Sequence, residues 1–253
     1  MTTKPIHEAK VFPAGMEPLG RASFRFACHP GVVCYMKCCR DQNLRLYPAD
    51  IIRLKRRLGL TAGEFLERHA LVVRGDNPFF PTVMLQMADN PEKTCPFLGE
   101  QGCMVYEDRP NACRTYPLER AVARAAGAGR AEEFYFLTNH PYCLGHQEDR
   151  QWTVNEWLRG QRLLDDNLQL DQWAVMDTLF ATNPWHGEGA AGPMQRLAFM
   201  ACYNIDNFRQ YVQAQGLMER LRLNKARQRE IMAEDAALLR FAYEWLQQVL
   251  VGR

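Results

Sequence analysis

Apolar residues recur along this chain with two different periods, and the change falls near residue 150. Before it they come in short runs interrupted by proline, glycine and cysteine. After it they return every three to four positions over long stretches. The second spacing marks one face of an α-helix, and short β-branched or aromatic runs mark strands. The pattern divides the sequence into an extended lead-in at 1–23, a segment of short elements at 24–150 and a mainly helical region at 151–253. The expected fold class is α+β, a small cysteine-rich domain of short strands and helices with a helical C-terminal extension.

Pro5, Pro13, Gly15, Pro18 and Gly20 punctuate the lead-in, and residues 28–39 are too irregular for a long element. A helix is expected at 48–58, opened by Tyr47-Pro48, faced by Ile51, Ile52, Leu54 and Leu58, and ended by Gly59. Thr61-Ala-Gly-Glu64 is a capping box for a second helix that turns Phe65 and Leu66 inward. Residues 80–88 and 133–138 read as strands. The run from Cys95 to Tyr106 reads as a hairpin turning at Gly99–Gly102, which would put Cys95 and Cys103 on neighbouring strands. Arg109–Arg114 suits one helical turn, stopped by Pro117. Thr153-Val-Asn-Glu156 is another capping box, for a helix burying Trp157, Leu164 and Leu168 and continuing toward Phe180. Helices at 193–214 and 226–250 follow a loop at 183–192. In the last of them Ile231, Leu238, Ala242, Trp245 and Val249 keep a core-facing stripe.

Composition changes this picture little. The chain is 47% hydrophobic and 24% charged, an ordinary globular balance. A net charge of +2 gives no reason to expect nucleic acid or an electrostatically bound membrane surface as partner. No run of apolar residues is long enough to span a bilayer, and the N-terminus lacks the apolar core of a signal peptide. The expected location is the cytoplasm.

The cysteines change it most. There are nine, and eight of them fall between Cys28 and Cys143: Cys28, Cys34, Cys38, Cys39, Cys95, Cys103, Cys113 and Cys143. In a reducing compartment clustered thiols are metal ligands more often than disulfides. Thiolate is a soft donor that holds Zn²⁺ or the irons of a cluster. Cys34-x3-Cys38 and Cys28-x5-Cys34 leave room to curve two sulfurs toward one point. Cys38 and Cys39 are adjacent, and neighbouring side chains of an extended segment point to opposite sides. They fit two centres, or two irons of one cluster, better than one zinc. Eight ligands are also too many for one mononuclear site, so the expectation is two four-thiolate centres, or a cluster beside a zinc. Iron–sulfur is favoured over zinc on these grounds. How the cysteines divide between the centres is not legible.

Cys34-Tyr-Met-Lys-Cys38-Cys39, Tyr47–Leu54, Leu58–Phe65, Cys95-Pro-Phe-Leu98, Cys103–Pro110, Cys113-Arg-Thr-Tyr-Pro117 and Cys143-Leu-Gly145 together resemble the YkgJ type of cysteine-cluster family, over about residues 24–146. The spacing of Cys28, Cys34 and Cys38 is looser than that family's CxxCxxCC opening. The resemblance implies zinc or iron chelation by the eight cysteines. It also implies, as an alternative, an iron–sulfur-dependent enzyme of methylase or oxidoreductase type, although no methyl-donor signature is present. A third reading makes the metals structural and the C-terminal helices a surface for a protein partner.

Lys37, Arg40, Arg109 and Arg114 flank the cysteines and could offset thiolate charge, each against the plain reading of a solvated surface residue. Pro110 restricts Arg109 to extended conformations, which suits it to brace the loop of Cys113. His29, His140 and His146 adjoin cysteines as alternative ligands or supporting residues. Asp50 reads as a helix-start residue, and Glu107-Asp108 as part of a turn. Cys202 lies among apolar neighbours and reads as a small core hydrophobe.

Overall fold

A computed structural model describes residues 16–123, 132–189 and 191–252. Its strands are β1 (Ser23–Arg25), β2 (Ala70–Val73), β3 (Thr82–Leu85), β4 (Leu98–Gly99), β5 (Gly102–Cys103), β6 (Leu118–Ala123), β7 (Glu132–Leu137) and β8 (Gln151–Thr153). The helices are α1 (Pro48–Leu58), α2 (Ala62–His69), α3 (Asn111–Thr115), α4 (Val154–Gly160), α5 (Leu163–Ala181), α6 (Pro193–Tyr203), α7 (Ile205–Ala214), α8 (Leu217–Arg220), α9 (Lys225–Ala233) and α10 (Asp235–Val251). The class is α+β. The strands pair antiparallel as β1–β8, β2–β3, β4–β5 and β6–β7.

By compactness the described residues form two units, each drawn from two separate stretches: those up to 34 with those in 115–161, and those in 35–114 with those from 162 on. In the first unit β1 aligns Phe24 opposite Trp152 of β8, and β6 and β7 form a six-residue ladder. Aromatic rings fill its interior. Trp157 of α4 packs edge-on against Phe26 (5.5 Å) and Trp152 (5.2 Å), and its indole N–H donates to Thr115 O at 3.0 Å. The Thr153–Glu156 capping box forms as expected.

In the second unit α1 has the expected bounds, and α2 opens at the expected Thr61–Glu64 capping box. Gly59 stands at φ 67°, left-handed backbone where glycine avoids the Cβ clash. The Thr61 hydroxyl accepts from Glu64 N, while the Glu64 carboxylate accepts from Thr61 N. The core is mostly helical: Ile51, Leu54, Phe65, Trp173, Met176, Phe180, Phe208, Leu238, Ala242 and Leu246 are all buried. Cys202 is 1% exposed within it, a core hydrophobe as expected.

Three expectations need correction. The helix opened by Thr153 does not run to Phe180; it stops at Gly160, and Arg162 takes left-handed φ of 53° before α5 begins. Residues outside the helix reset its rotational phase. Leu163 is therefore buried, while Leu164 and Leu168 are 53% and 63% exposed. The stretches 193–214 and 226–250 are each two helices, divided at Asn204, which caps α7, and at Glu234, whose backbone is extended. Finally, the hairpin ladder is only two residues long on each side. Cys103 pairs with Leu98, and Cys95 lies ahead of β4 in a turn closed by Leu98 N to Cys95 O at 3.0 Å.

Candidate metal centre

The second unit assembles five of the eight cysteines. Cys38 and Cys39 lie on a single 3-10 turn, Lys37–Cys39, entered through left-handed Met36. Two backbone links sew this turn to the segment ahead of the hairpin: Cys95 N donates to Cys39 O at 2.8 Å, and Arg40 bridges Thr94. Phe97 and Val105, each two residues after a cysteine, are 2% and 1% exposed and anchor the hairpin in the core. Gly102 sits at φ 130°, and a Cβ there would come within 2.6 Å of the Tyr35 hydroxyl, so the turn before Cys103 requires glycine.

The electrostatics tie these thiols into one group. The Cys39 S–H donates to the Cys38 sulfur and brings the Cys38 pKa down to about 7. The same bond, with burial next, pushes Cys39 well up; the neighbouring Cys38, Cys95 and Cys103 add to the push. The pair thus gives up one proton readily and holds the second. Burial raises Cys95 and Cys103, opposed by hydrogen bonds to their sulfurs from Phe97 N–H and Val105 N–H. Although Cys113 is exposed over the residue as a whole, the protein around its sulfur pushes the thiol up to about 12, with Cys95, Cys38 and Cys103 contributing.

Of the four flanking cations, Arg109 acts on the thiols: its charge favours the thiolates of Cys38, Cys103 and Cys113. It stacks over the Tyr106 ring at 3.8 Å and donates through Nε to Tyr106 O at 2.8 Å. Arg114 turns inward instead, 5% exposed in its side chain, to an ion pair with Asp166 of α5. Arg40 pairs with Glu92, and Lys37 stays exposed. Asp50 caps α1 through Tyr47 N at 2.9 Å, as expected of a helix-start residue, and Glu107 and Asp108 lie in a 3-10 turn.

The first unit holds the other three. Leu144 N donates to the buried Cys34 sulfur at 3.1 Å, which brings Cys34 to the turn carrying Cys143. Ala27 N donates to Gly145 O at 3.0 Å and draws Cys28 along the same turn. A Cβ on Gly145 would meet Ala27 O at 2.6 Å and the Phe26 ring at 2.8 Å, so this approach needs glycine. Burial, then a hydrogen bond with the Cys143 thiol, raises the Tyr116 pKa. The three histidines make contacts of their own in this unit. His29 contacts Glu148 at 3.1 Å, His140 stacks between Tyr116 and Tyr142, and His146 meets the Tyr116 hydroxyl at 3.3 Å. Tyr116 had no assigned role from sequence, although Cys113-Arg-Thr-Tyr-Pro117 contains it.

The donors fit a thiophilic metal. Backbone N–H groups face the sulfurs of Cys34, Cys95 and Cys103; at Cys95 and Cys103 the N–H, and at Cys103 also the charge of Arg109, oppose the burial that raises the thiol. Among the described residues no three Cys, His, Asp or Glu side chains stand in a finished coordination geometry. The thiols are neighbours, not a closed shell.

Residues 27–144 match the CxxCxxCC family, described as "Putative zinc- or iron-chelating domain". No curated protein and no solved structure matches the chain. Among the described residues no helix is long and apolar enough to cross a membrane.

Proposed function

Taking the CxxCxxCC-family, zinc- or iron-chelating domain at residues 27–144 as premise, we propose that the chain carries an iron–sulfur cluster on the thiols of its second unit. Cys38, Cys39, Cys95, Cys103 and Cys113 supply the ligands, four binding at once. Cys28, Cys34 and Cys143 form the metal-binding group of the first unit. The observation that carries this reading is the five-thiol group, one more than a single zinc takes; Cys38 and Cys39 share a 3-10 turn with their thiols in contact, not the extended backbone on which adjacent side chains diverge. A single zinc takes four ligands in a tetrahedron, whereas a cluster spreads its ligands over several irons. Bound there, the cluster would supply one-electron chemistry, with the N–H groups of Phe97 and Val105 and the charge of Arg109 tuning it.

Thiols kept available for metal are favoured by a reducing compartment, and the reading includes a cytoplasmic location on that ground. Anaerobic purification of the full chain, with iron, sulfide and zinc measured together, tests the assignment. Brown protein with matching iron and sulfide is the expected result. A colourless protein with stoichiometric zinc and no sulfide would overturn the cluster in favour of zinc.

A further inference from the structure

The segment that presents Cys113 is held by a buried charge lattice reaching well beyond the matched domain. Asp50 of α1 accepts from Asn111 N at 2.8 Å through Oδ1, which also takes Arg53 Nη2 at 2.6 Å. Arg53 donates to Arg109 O at 3.3 Å and pairs with Asp166 at 3.0 Å. Asp166 also takes the Arg114 guanidinium. The backbone of Arg109, the start of α3 and the residue after Cys113 are therefore all fixed by one set of four charges. Asp50 is 1% exposed, and the side chain of Asp166 9%. Burial weakens the Arg114 base to about 10, so it remains a cation at neutral pH.

Within this lattice Asp166 is the point on which both arginines converge. Removing its charge leaves two guanidinium groups facing each other with Asp50 as the remaining anion. Their repulsion acts directly on the backbone flanking Cys113 and on Arg109, whose carbonyl takes Arg53. We infer that Asp166, on a helix outside residues 27–144, is a positioning residue for the metal centre: it sets the presentation of Cys113 and Arg109, so the helical region completes the site. The inference rests on the proposed metal centre of the second unit.

A second lattice of the same kind serves as control. Lys55 pairs with Asp206 and Asp235 at 2.9 Å each, and Arg209 also reaches Asp235. It joins α1, α7 and α10 and involves no residue adjoining a cysteine. The test compares wild type, D166N, D166E and D235N, each as the full chain purified anaerobically. Readouts are metal content, the visible circular-dichroism spectrum of the centre, iron release to a chelator, and thermal midpoint. D166N should release iron about 10–100-fold faster than wild type with an altered spectrum, the range usual for loss of a residue supporting a metal ligand. D166E, which keeps the charge, should restore both. D235N should lower the midpoint while leaving spectrum and release rate at the wild-type values.

Wild-type spectrum and release rate in a folded D166N, or equal changes in D166N and D235N, would overturn the positioning role and leave the metal-centre reading intact. If D166N does not fold, D166E decides: wild-type values support the role, and a changed centre at unchanged thermal midpoint refutes the charge-based account. Wild-type protein without metal would overturn both readings.

Discussion

Cys202 and Cys95 carry the same side chain in different surroundings. Cys202 is enclosed by the core, and burial alone pushes its thiol up. Cys95 faces a backbone N–H and other thiols. Cys202→Ala should therefore cost about 1 kcal/mol, as for removal of one methyl-sized group from a core, and leave metal content untouched. Cys95→Ser should lose metal, because a hydroxyl oxygen is a harder, weaker donor than thiolate. Metal analysis with denaturant melts checks both, and loss of metal in the Cys202 variant would contradict its assignment as core. His69 gives the pH prediction. Its ring packs on Phe65 and Phe97, and burial, with Arg68 adding, holds its pKa below the usual histidine value. The unfolded chain then binds the proton more tightly. The contribution of His69 is complete above about pH 6.5 and shrinks as pH falls below that value. His69→Gln should flatten the dependence of the thermal midpoint on pH below that value; an unchanged slope would refute the argument.

What was legible in the sequence at the level of elements follows the range of the interactions that set them. The caps at Thr61 and Thr153 were readable because a hydroxyl and a carboxylate three residues apart satisfy each other locally. Thr61→Ala should cost about 1 kcal/mol, measurable by urea denaturation, and a loss near zero would show the cap to be idle. The break at Arg162 was not readable. Apolar periodicity continues across it, and a left-handed arginine has no local signature, so Leu164 and Leu168 were placed in the core wrongly. Strands β1, β2, β6 and β8 were also missed. The β1–β8 pair depends on residues more than a hundred positions apart, and Val122 and Ala123 of β6 are only partly buried. At the site, the grouping of eight cysteines and the suspicion attached to Arg109 came from local sequence. Asp166 did not, because only tertiary structure brings it to Arg114.

For the molecule as a whole, the origin of the ligands and the origin of the core differ, and that difference predicts how it responds to metal removal. In the second unit the five thiols come from residues 35–114, while most of the buried hydrophobic cluster comes from 162–253. Small metal domains lacking such a core draw about 10–16 kcal/mol of apparent folding free energy from the metal and unfold without it. Here Trp173, Phe180, Phe208, Leu238 and Leu246 are buried among one another and need no ligand to stay so. A strong chelator applied anaerobically should therefore lower the thermal midpoint and open residues 35–45 and 94–114 to proteolysis. Far-ultraviolet circular dichroism should keep most of its helical signal. Mass spectrometry of the early cleavage products locates the opened segments. Global loss of helix on chelation would mean instead that metal and core fold as one cooperative unit, and would return the metals to the purely structural role of the third reading.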